Sequence, residues 1–412
     1  MSNGSIKTTN KVAHSLYRES CYLMGRSQQF AIQLRRSVFR FLISLIDILR
    51  KPIRNNQILI VQGDAGKSKL NEVKSRTDYI CSFLTPKPSI QVKKQASIRD
   101  CIRYSVIAYA DSKSIPRAFG QRIPWIVSLD FDTNPFDGWS VFTVGNAFTK
   151  SDQRSRVNTS EDKFNSHIKT LKQRGNLPVY VFGTGPTLQN AFNRSFEDGF
   201  RVVCNTIVKD QNLWDHLKPD IFCAGDAIYH FGKNIHAVTF RAATLSRLKE
   251  SYGSTIFVYP ATFDLLVRSE FQEVESSLVP IPVGNHVAFD MDLRERFLLP
   301  VIGNVLNQLL IPLAMTLSKD IRLWGFDGRA PNDAGFWKNS NNHSYPDLVD
   351  SIRTAHPAFF AELVPAGQEA RYVESVHGDS LHKRLLDAES KGYTFTMLHR
   401  SWTKSLHSRF KP

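Results

Sequence analysis

From Leu177 to the carboxyl terminus, short apolar runs alternate with longer stretches in which apolar residues recur every three or four positions. The short runs are "VYVFG", "RVVCN", "DIFCAG", "TIFVYP", "IRLWGFD" and "YTFTML". Their length and their β-branched and aromatic content predict strands. Strands alternating with helices predict a parallel sheet covered by helices on both faces. In such sheets ligands bind at the carboxyl ends of the strands. We therefore read 177–412 as one nucleotide-sugar-binding domain and 54–150 as a separate N-terminal α/β unit. Within that unit "QILIVQ" and "PWIVSLDF" read as strands and "SIRDCIRYSVIAYA" as a helix. The polar stretch 151–176 reads as linker and surface helix, and 1–27 as a loose, polar terminus.

Residues 28–53 pattern differently. Phe30, Leu34, Phe41, Leu45 and Ile48 fall near helical spacing, among Arg35, Arg36, Arg40, Arg50 and Lys51. Arg40 and Asp47 interrupt the apolar run, leaving it short of the roughly 20 residues that a bilayer span needs. A basic amphipathic helix is expected, lying on an anionic membrane face or packed on the protein.

Composition narrows the partners. The chain has 412 residues, enough for two or three domains, and is 42% apolar and 22% charged, as in soluble globular proteins. Its net charge of +15 favours anionic partners. The cations are spread along the chain without a zinc-finger spacing or an RNA-binding signature, so nucleic acid is not expected. Five cysteines without a CxxC pair argue against a disulfide framework and a structural zinc site, and for a reducing compartment. The amino terminus lacks the apolar core of a signal peptide. A cytoplasmic protein, peripheral at the inner membrane face, is the expectation.

Two motifs imitate known sites. "VQGDAGKSK" lacks the GxxxxGK[ST] spacing that wraps a triphosphate, because only two residues separate Gly63 from Gly66. "SLDFDTN" and "DMD" carry the Asp-x-Asp pattern of metal-dependent glycosyltransferases, although solvated turn carboxylates account for both.

A constellation at the strand ends is harder to dismiss. "VFGTGPT" places Gly183, Thr184, Gly185, Pro186 and Thr187 between a strand and a segment able to start a helix. Such a turn offers backbone N–H groups and a helix N-terminus to a phosphate. The next strand ends in Asn205, and the third in Gly225 and Asp226. Farther on, Gly303 and Asn304 open an apolar helix, and a strand ends in Gly325, Phe326 and Asp327. The polar loop that follows holds His343, a candidate general base because imidazole titrates near working pH.

The order GxGP[ST]L, CN, small-residue helix start, GxD, N-x-H resembles bacterial sialyltransferases of glycosyltransferase family 42. The tail "LHKRLLDAESKGYTFTMLHRS" is similar to that family's last helix and strand, which end in a Ser. The related Maf flagellin glycosyltransferases and MptE-like pterin pyrophosphokinases share the GxGPSL turn and the GxD strand end. The match covers about 177–402 and leaves 1–150 outside.

The resemblance implies a Rossmann-like sheet of the GT-A-like variant and metal-independent transfer of sialic acid, or a related nonulosonate, from a CMP-sugar to a glycan or glycolipid acceptor. It implies no cofactor and no metal. It implies that Gly183, Thr184, Gly185, Pro186, Thr187 and Asn205 hold the nucleotide, that Gly303 and Asn304 bind the donor, and that His343 is the base. Asp226 and Asp327 sit in the same row of strand ends. The family has two tyrosines after the GxD strand that stabilise the leaving phosphate. Here that stretch carries Arg329 and Phe336–Trp337, with Tyr345 as a substitute. Arg329 suits a phosphate because its guanidinium is a fixed, planar cation. Also open are a Maf- or MptE-like enzyme with another nucleotide donor, and a non-catalytic nucleotide-binding or membrane scaffold protein.

Overall fold

The computed structural model describes residues 48, 55–116, 123, 125–129, 139–330, 340–357 and 380–411. The reading of 28–53, apart from the helical residue Ile48, and those of Asp130, Asp132 and Phe336–Trp337 lie outside the described residues. The chain divides into two compact units, Met1–Asn55 with Ser97–Tyr104, and Asn56–Ala96 with Ser105–Pro412. In the smaller unit the helix Ile98–Arg103 begins at a reciprocal cap. The Ser97 hydroxyl accepts from the Asp100 N–H, and the Asp100 carboxylate accepts from the Ser97 N–H.

The protein is α/β, with two sheets. The first has the order β2-β1-β3-β4, built from β1 (Asn55–Val61), β2 (Ser89–Lys93), β3 (Tyr104–Tyr109) and β4 (Ile126–Ser128). Strand β2 runs parallel to β1, and β4 parallel to β3. The stretch expected to be one helix, "SIRDCIRYSVIAYA", instead turns from helix to strand at Tyr104. The run Tyr104-Ser-Val-Ile-Ala-Tyr is rich in β-branched and aromatic residues and is buried along almost its whole length. Sheet pairing overrides the helical spacing there.

The second sheet has seven strands: β5 (Val179–Phe182), β6 (Phe200–Cys204), β7 (Ile221–Cys223), β8 (Ile256–Pro260), β9 (Leu278–Ile281), β10 (Asp320–Trp324) and β11 (Thr394–Met397). Their order is β11-β10-β5-β6-β7-β8-β9, and all six pairings are parallel. Strand β9, "LVPI", was not anticipated, its proline being a poor strand signal; it forms the sheet edge, where a missing N–H is tolerated.

Alternation along the strands sorts two buried layers. Tyr180, Phe182, Val203, Phe222 and Phe257 face one layer, with Trp214 and Phe240 from the helices Gln211–Leu217 and Ile235–Glu250. That layer is continuous with Ile58, Ile60, Val106 and Ala108 of the first sheet. Val179, Val181, Val202, Ile221 and Val258 face the other layer, with Leu313 and Leu317 from Ile311–Leu317 and Leu385 from Ser380–Ser390. Burial on both faces explains why these strands read as unbroken apolar runs. The stretch read as linker and surface helix is one helix, Lys150–Lys172, with Phe164, Ile168 and Leu171 in this second layer. About one buried residue per turn is enough to dock it, which its polar composition hides.

The chain winds outward from β5 through β9 and then returns to the other side of β5 as β10. Strand order therefore reverses between β5 and β10, a switch point where a crevice forms outside the carboxyl ends.

Candidate functional site

At the switch point the turns after β5 and β10 lie back to back. The Gly183 N–H donates to the Trp324 carbonyl at 2.8 Å, and the Gly185 N–H to the Gly325 carbonyl at 2.9 Å. A Cβ on Gly183 would sit 2.6 Å from the Gly325 oxygen, and a Cβ on Gly325 only 2.3 Å from the Gly183 oxygen. Gly325 also has φ +75°, a left-handed conformation that glycine adopts without strain. The glycines are thus required by the approach of two backbones.

The expected open phosphate cradle is not what the turn forms. The Thr187 N–H and hydroxyl both donate to the Asp327 carboxylate, at 3.2 and 2.9 Å. With Gly183 and Gly185 committed to β10, three of the turn's N–H groups are taken. The segment Pro186–Asn193 is a 3₁₀ helix rather than an α-helix. Asp327 serves as its anchor. His399, which sequence reasoning passed over, completes the joint: its Nε2 accepts from the Gly325 N–H at 2.9 Å and lies 3.0 Å from the Thr187 hydroxyl. Ser401, the Ser that ends the tail, donates to the Phe326 carbonyl at 2.7 Å. Their one sequence signal was the "LHRS" that closes the last strand.

His343 and Thr184 meet. Thr184 Oγ1 and His343 Nδ1 share a hydrogen bond of 3.1 Å, and the Ser340 hydroxyl donates to the Thr184 carbonyl. The Thr206 hydroxyl donates to the Asn342 carbonyl at 2.5 Å, and Lys209 Nζ to the Ser344 carbonyl at 2.7 Å. These bonds pin the loop 340–346 over the carboxyl ends of β5 and β6. Asn205 opens that second anchor, the 3₁₀ turn Asn205–Lys209, in a left-handed conformation with φ +53°. Its Oδ1 is buried and accepts no hydrogen bond from the described residues. A non-glycine residue held there, with an amide oxygen unspent, is the kind of strain that collects at binding sites.

Burial, reinforced by the charges of Arg329, His236 and Lys209, pushes the His343 imidazole down to about 3. His236 holds the loop from beneath: its Nε2 accepts from the Tyr345 N–H at 3.3 Å, and its Nδ1 bonds the Tyr229 carbonyl at 3.0 Å. The Tyr345 ring lies 5.0 Å from that imidazole and 5.4 Å from Lys209 Nζ. Burial raises its phenol to about 12, and the hydroxyl has no partner among the described residues. Lys209 and His236 carried no signal in the sequence.

The remaining expected residues have local roles. Asp226 Oδ1 accepts from the N–H groups of Ile228 and Tyr229, closing its own loop after β7. Asn304 Oδ1 accepts from the Asn307 N–H at 2.9 Å and caps a helix whose first turn, Leu306–Leu310, is a π-helix. Gly303 is exposed beside it. Of the two Asp-x-Asp stretches, Asp290 and Asp292 are spent on His286, Arg296 and Arg294. Among the described residues no group of three or more His, Cys, Asp or Glu side chains is placed to hold a metal ion. No helix among them is long and apolar enough to cross a membrane.

No protein family, curated protein or solved structure matches this chain. Fold and site geometry therefore stand on the chain's own chemistry.

Proposed function

We propose that the chain is a glycosyltransferase of Rossmann-like, GT-A-variant architecture, moving sialic acid or a related nonulosonate from a CMP-sugar to a glycan acceptor. One observation carries the reading: at the strand-order reversal, a neutral imidazole is tied to Thr184 in a setting of positive charge. Cations gathered around a base that is neutral at working pH call for an anion, and the donor phosphate supplies one.

In this reading the acceptor hydroxyl oxygen bonds to the anomeric carbon as the bond from that carbon to the CMP phosphate breaks. The leaving electron pair stays on the phosphate oxygen, facing Arg329. The acceptor proton passes to the His343 imidazole. Thr184 fixes the plane of the ring, and Asn205 offers its amide to the nucleoside. Tyr345 faces Lys209 and His236 and acts as a positioning residue for the loop rather than as a phosphate donor. A glycolipid acceptor at an anionic membrane face would suit the net charge of +15.

The test is a two-part assay on the full chain. CMP is expected to raise the Tm more than UMP, GDP or ATP, since a ligand bound only to the folded state stabilises it. With a labelled CMP-sugar and an oligosaccharide acceptor, His343→Ala is expected to lower transfer by roughly 10²–10⁴-fold, the range for loss of a general base, while the CMP shift remains. Transfer that persists unchanged in His343→Ala removes the catalytic assignment. No Tm response to any of the four nucleotides removes the donor reading.

A further inference from the structure

The helix Ile235–Glu250 packs His236, Ala237, Phe240, Arg241, Thr244 and Leu248 against the protein. Its opposite face is apolar where a solvated helix is normally charged. Ile235 is 51% exposed and Val238 42%; Ala242 is exposed and Leu245 half-buried beside them. From Asn234 to Ser246 the ionisable side chains are His236 and Arg241, and both are buried. By comparison, the helix Lys67–Cys81 exposes Lys67, Ser68, Asn71, Lys74 and Asp78, polar at every position.

The spacing along that face is regular. Ile235, Val238, Ala242, Leu245, Lys249 and, just past the helix end, Tyr252 follow one another at alternating steps of three and four residues. That is the repeat of a seam between two packed helices. Tyr252 is 95% exposed and stands in a left-handed conformation, φ +47°. The charges bordering the stripe are already engaged. Arg247 pairs with Glu250, Lys249 with Glu273 at 2.6 Å and Arg241 with Glu270, while the Lys233 ammonium donates to the Ser75 hydroxyl. A face with its cations spent in this way has little pull on a phosphate or an anionic lipid surface. It also lets two copies approach although each chain carries a net charge of +15.

We infer that this face is the interface of a homodimer, in which the helix Ile235–Glu250 packs antiparallel on the same helix of a second copy across a two-fold axis. The inference is independent of the glycosyl-transfer reading. A second copy is the occupant because the stripe complements itself. With the axis between Ala243 and Thr244, Ala242 faces Leu245 of the other copy, small against large. Val238 then lies on the aliphatic stem of the opposing Lys249, and Tyr252 closes over the opposing Ile235. A parallel pair would instead set Ala242 against Ala242, leaving a gap, and bring the two Lys249 ammoniums together.

The experiment is sedimentation equilibrium of the full chain over a concentration series. A species of twice the chain mass is expected. Ala242→Glu and Val238→Arg place a charge in the seam and are expected to weaken association by about tenfold or more, since like or desolvated charges across an interface are strongly disfavoured. Both positions are exposed in the single chain, so far-UV circular dichroism should be unchanged, which shows that the variants fold. Lys74→Glu, on the outer face of Lys67–Cys81, is expected to leave association as it is. A chain that stays monomeric at every concentration overturns the inference, as does a dimer indifferent to Ala242→Glu and Val238→Arg. A monomer that binds phosphatidylglycerol vesicles and loses them in Ala242→Glu would give the face to lipid and overturn it too. A homotypic Lys249–Lys249 cross-link with a short lysine reagent, read by mass spectrometry, would overturn the antiparallel arrangement.

Discussion

At the scale of single residues, the proposed chemistry turns on one imidazole. A histidine pushed down to about 3 is neutral at working pH but a feeble base. Burial depresses it most; the charges of Arg329 and Lys209 add to that, and these are the charges that an anionic donor would neutralise in the proposed reaction. In the proposed reaction binding and basicity would thereby be coupled: a donor phosphate would make the site a better proton acceptor. The sign is testable. The ring resonances of His343, followed by NMR, are expected to titrate at a higher pH with saturating CMP than without. Titration unmoved by bound CMP would place the phosphate away from the imidazole. Asn205 and Asn342 belong to the same scale, each holding buried amide atoms without partners among the described residues.

At the scale of elements, the joint between β5 and β10 decides the geometry of the site. Two turns meet backbone to backbone, locked by Asp327 and His399. Gly325→Ala is expected to destabilise by roughly 2–6 kcal/mol, because the strain of a left-handed residue and overpacking each cost about 1–3 kcal/mol. Gly253→Ala is the control: its φ is +80°, but a Cβ there would meet nothing within 4 Å. It should lose only the strain component, about 1–3 kcal/mol. Urea unfolding of both variants gives the difference. Equal losses would show that the crowding at Gly183 and Gly325 relaxes freely.

At the scale of the whole molecule, buried neutral histidines make stability depend on pH. Burial holds His230 and His343 down to about 3, and His356, which also feels Arg76 and Lys233, to about 2. All three start from an ordinary value of 6.5. Between 6.5 and about 3 the unfolded chain therefore binds more protons than the folded one. Stability is complete above 6.5 and falls as the pH drops through that window. Each histidine contributes a slope of up to about 1.4 kcal/mol per pH unit. Urea midpoints at pH 7 and pH 5 should differ accordingly, and His230→Gln should flatten the slope. A midpoint constant across the window would mean that these histidines are not buried in the neutral form.

The sequence by itself determined the α/β class and six of the seven strands of the main sheet, because strands buried on both faces must be apolar at every position. It also placed Thr184, Asn205 and His343 at strand or loop ends, since glycine turns and polar loops are local features. Position in space was another matter. The helix at Tyr104 gave way to a strand because sheet pairing is a long-range interaction, and edge strand β9 was invisible because a proline is harmless only where no partner follows. The phosphate cradle suggested by the glycine turn depended on N–H groups whose partners come from β10, about 140 residues farther along the chain. Lys209, His236 and His399 reach the site through hydrogen bonds that span from 74 to 212 residues, and no spacing in a linear chain encodes which distant loop will close over which strand.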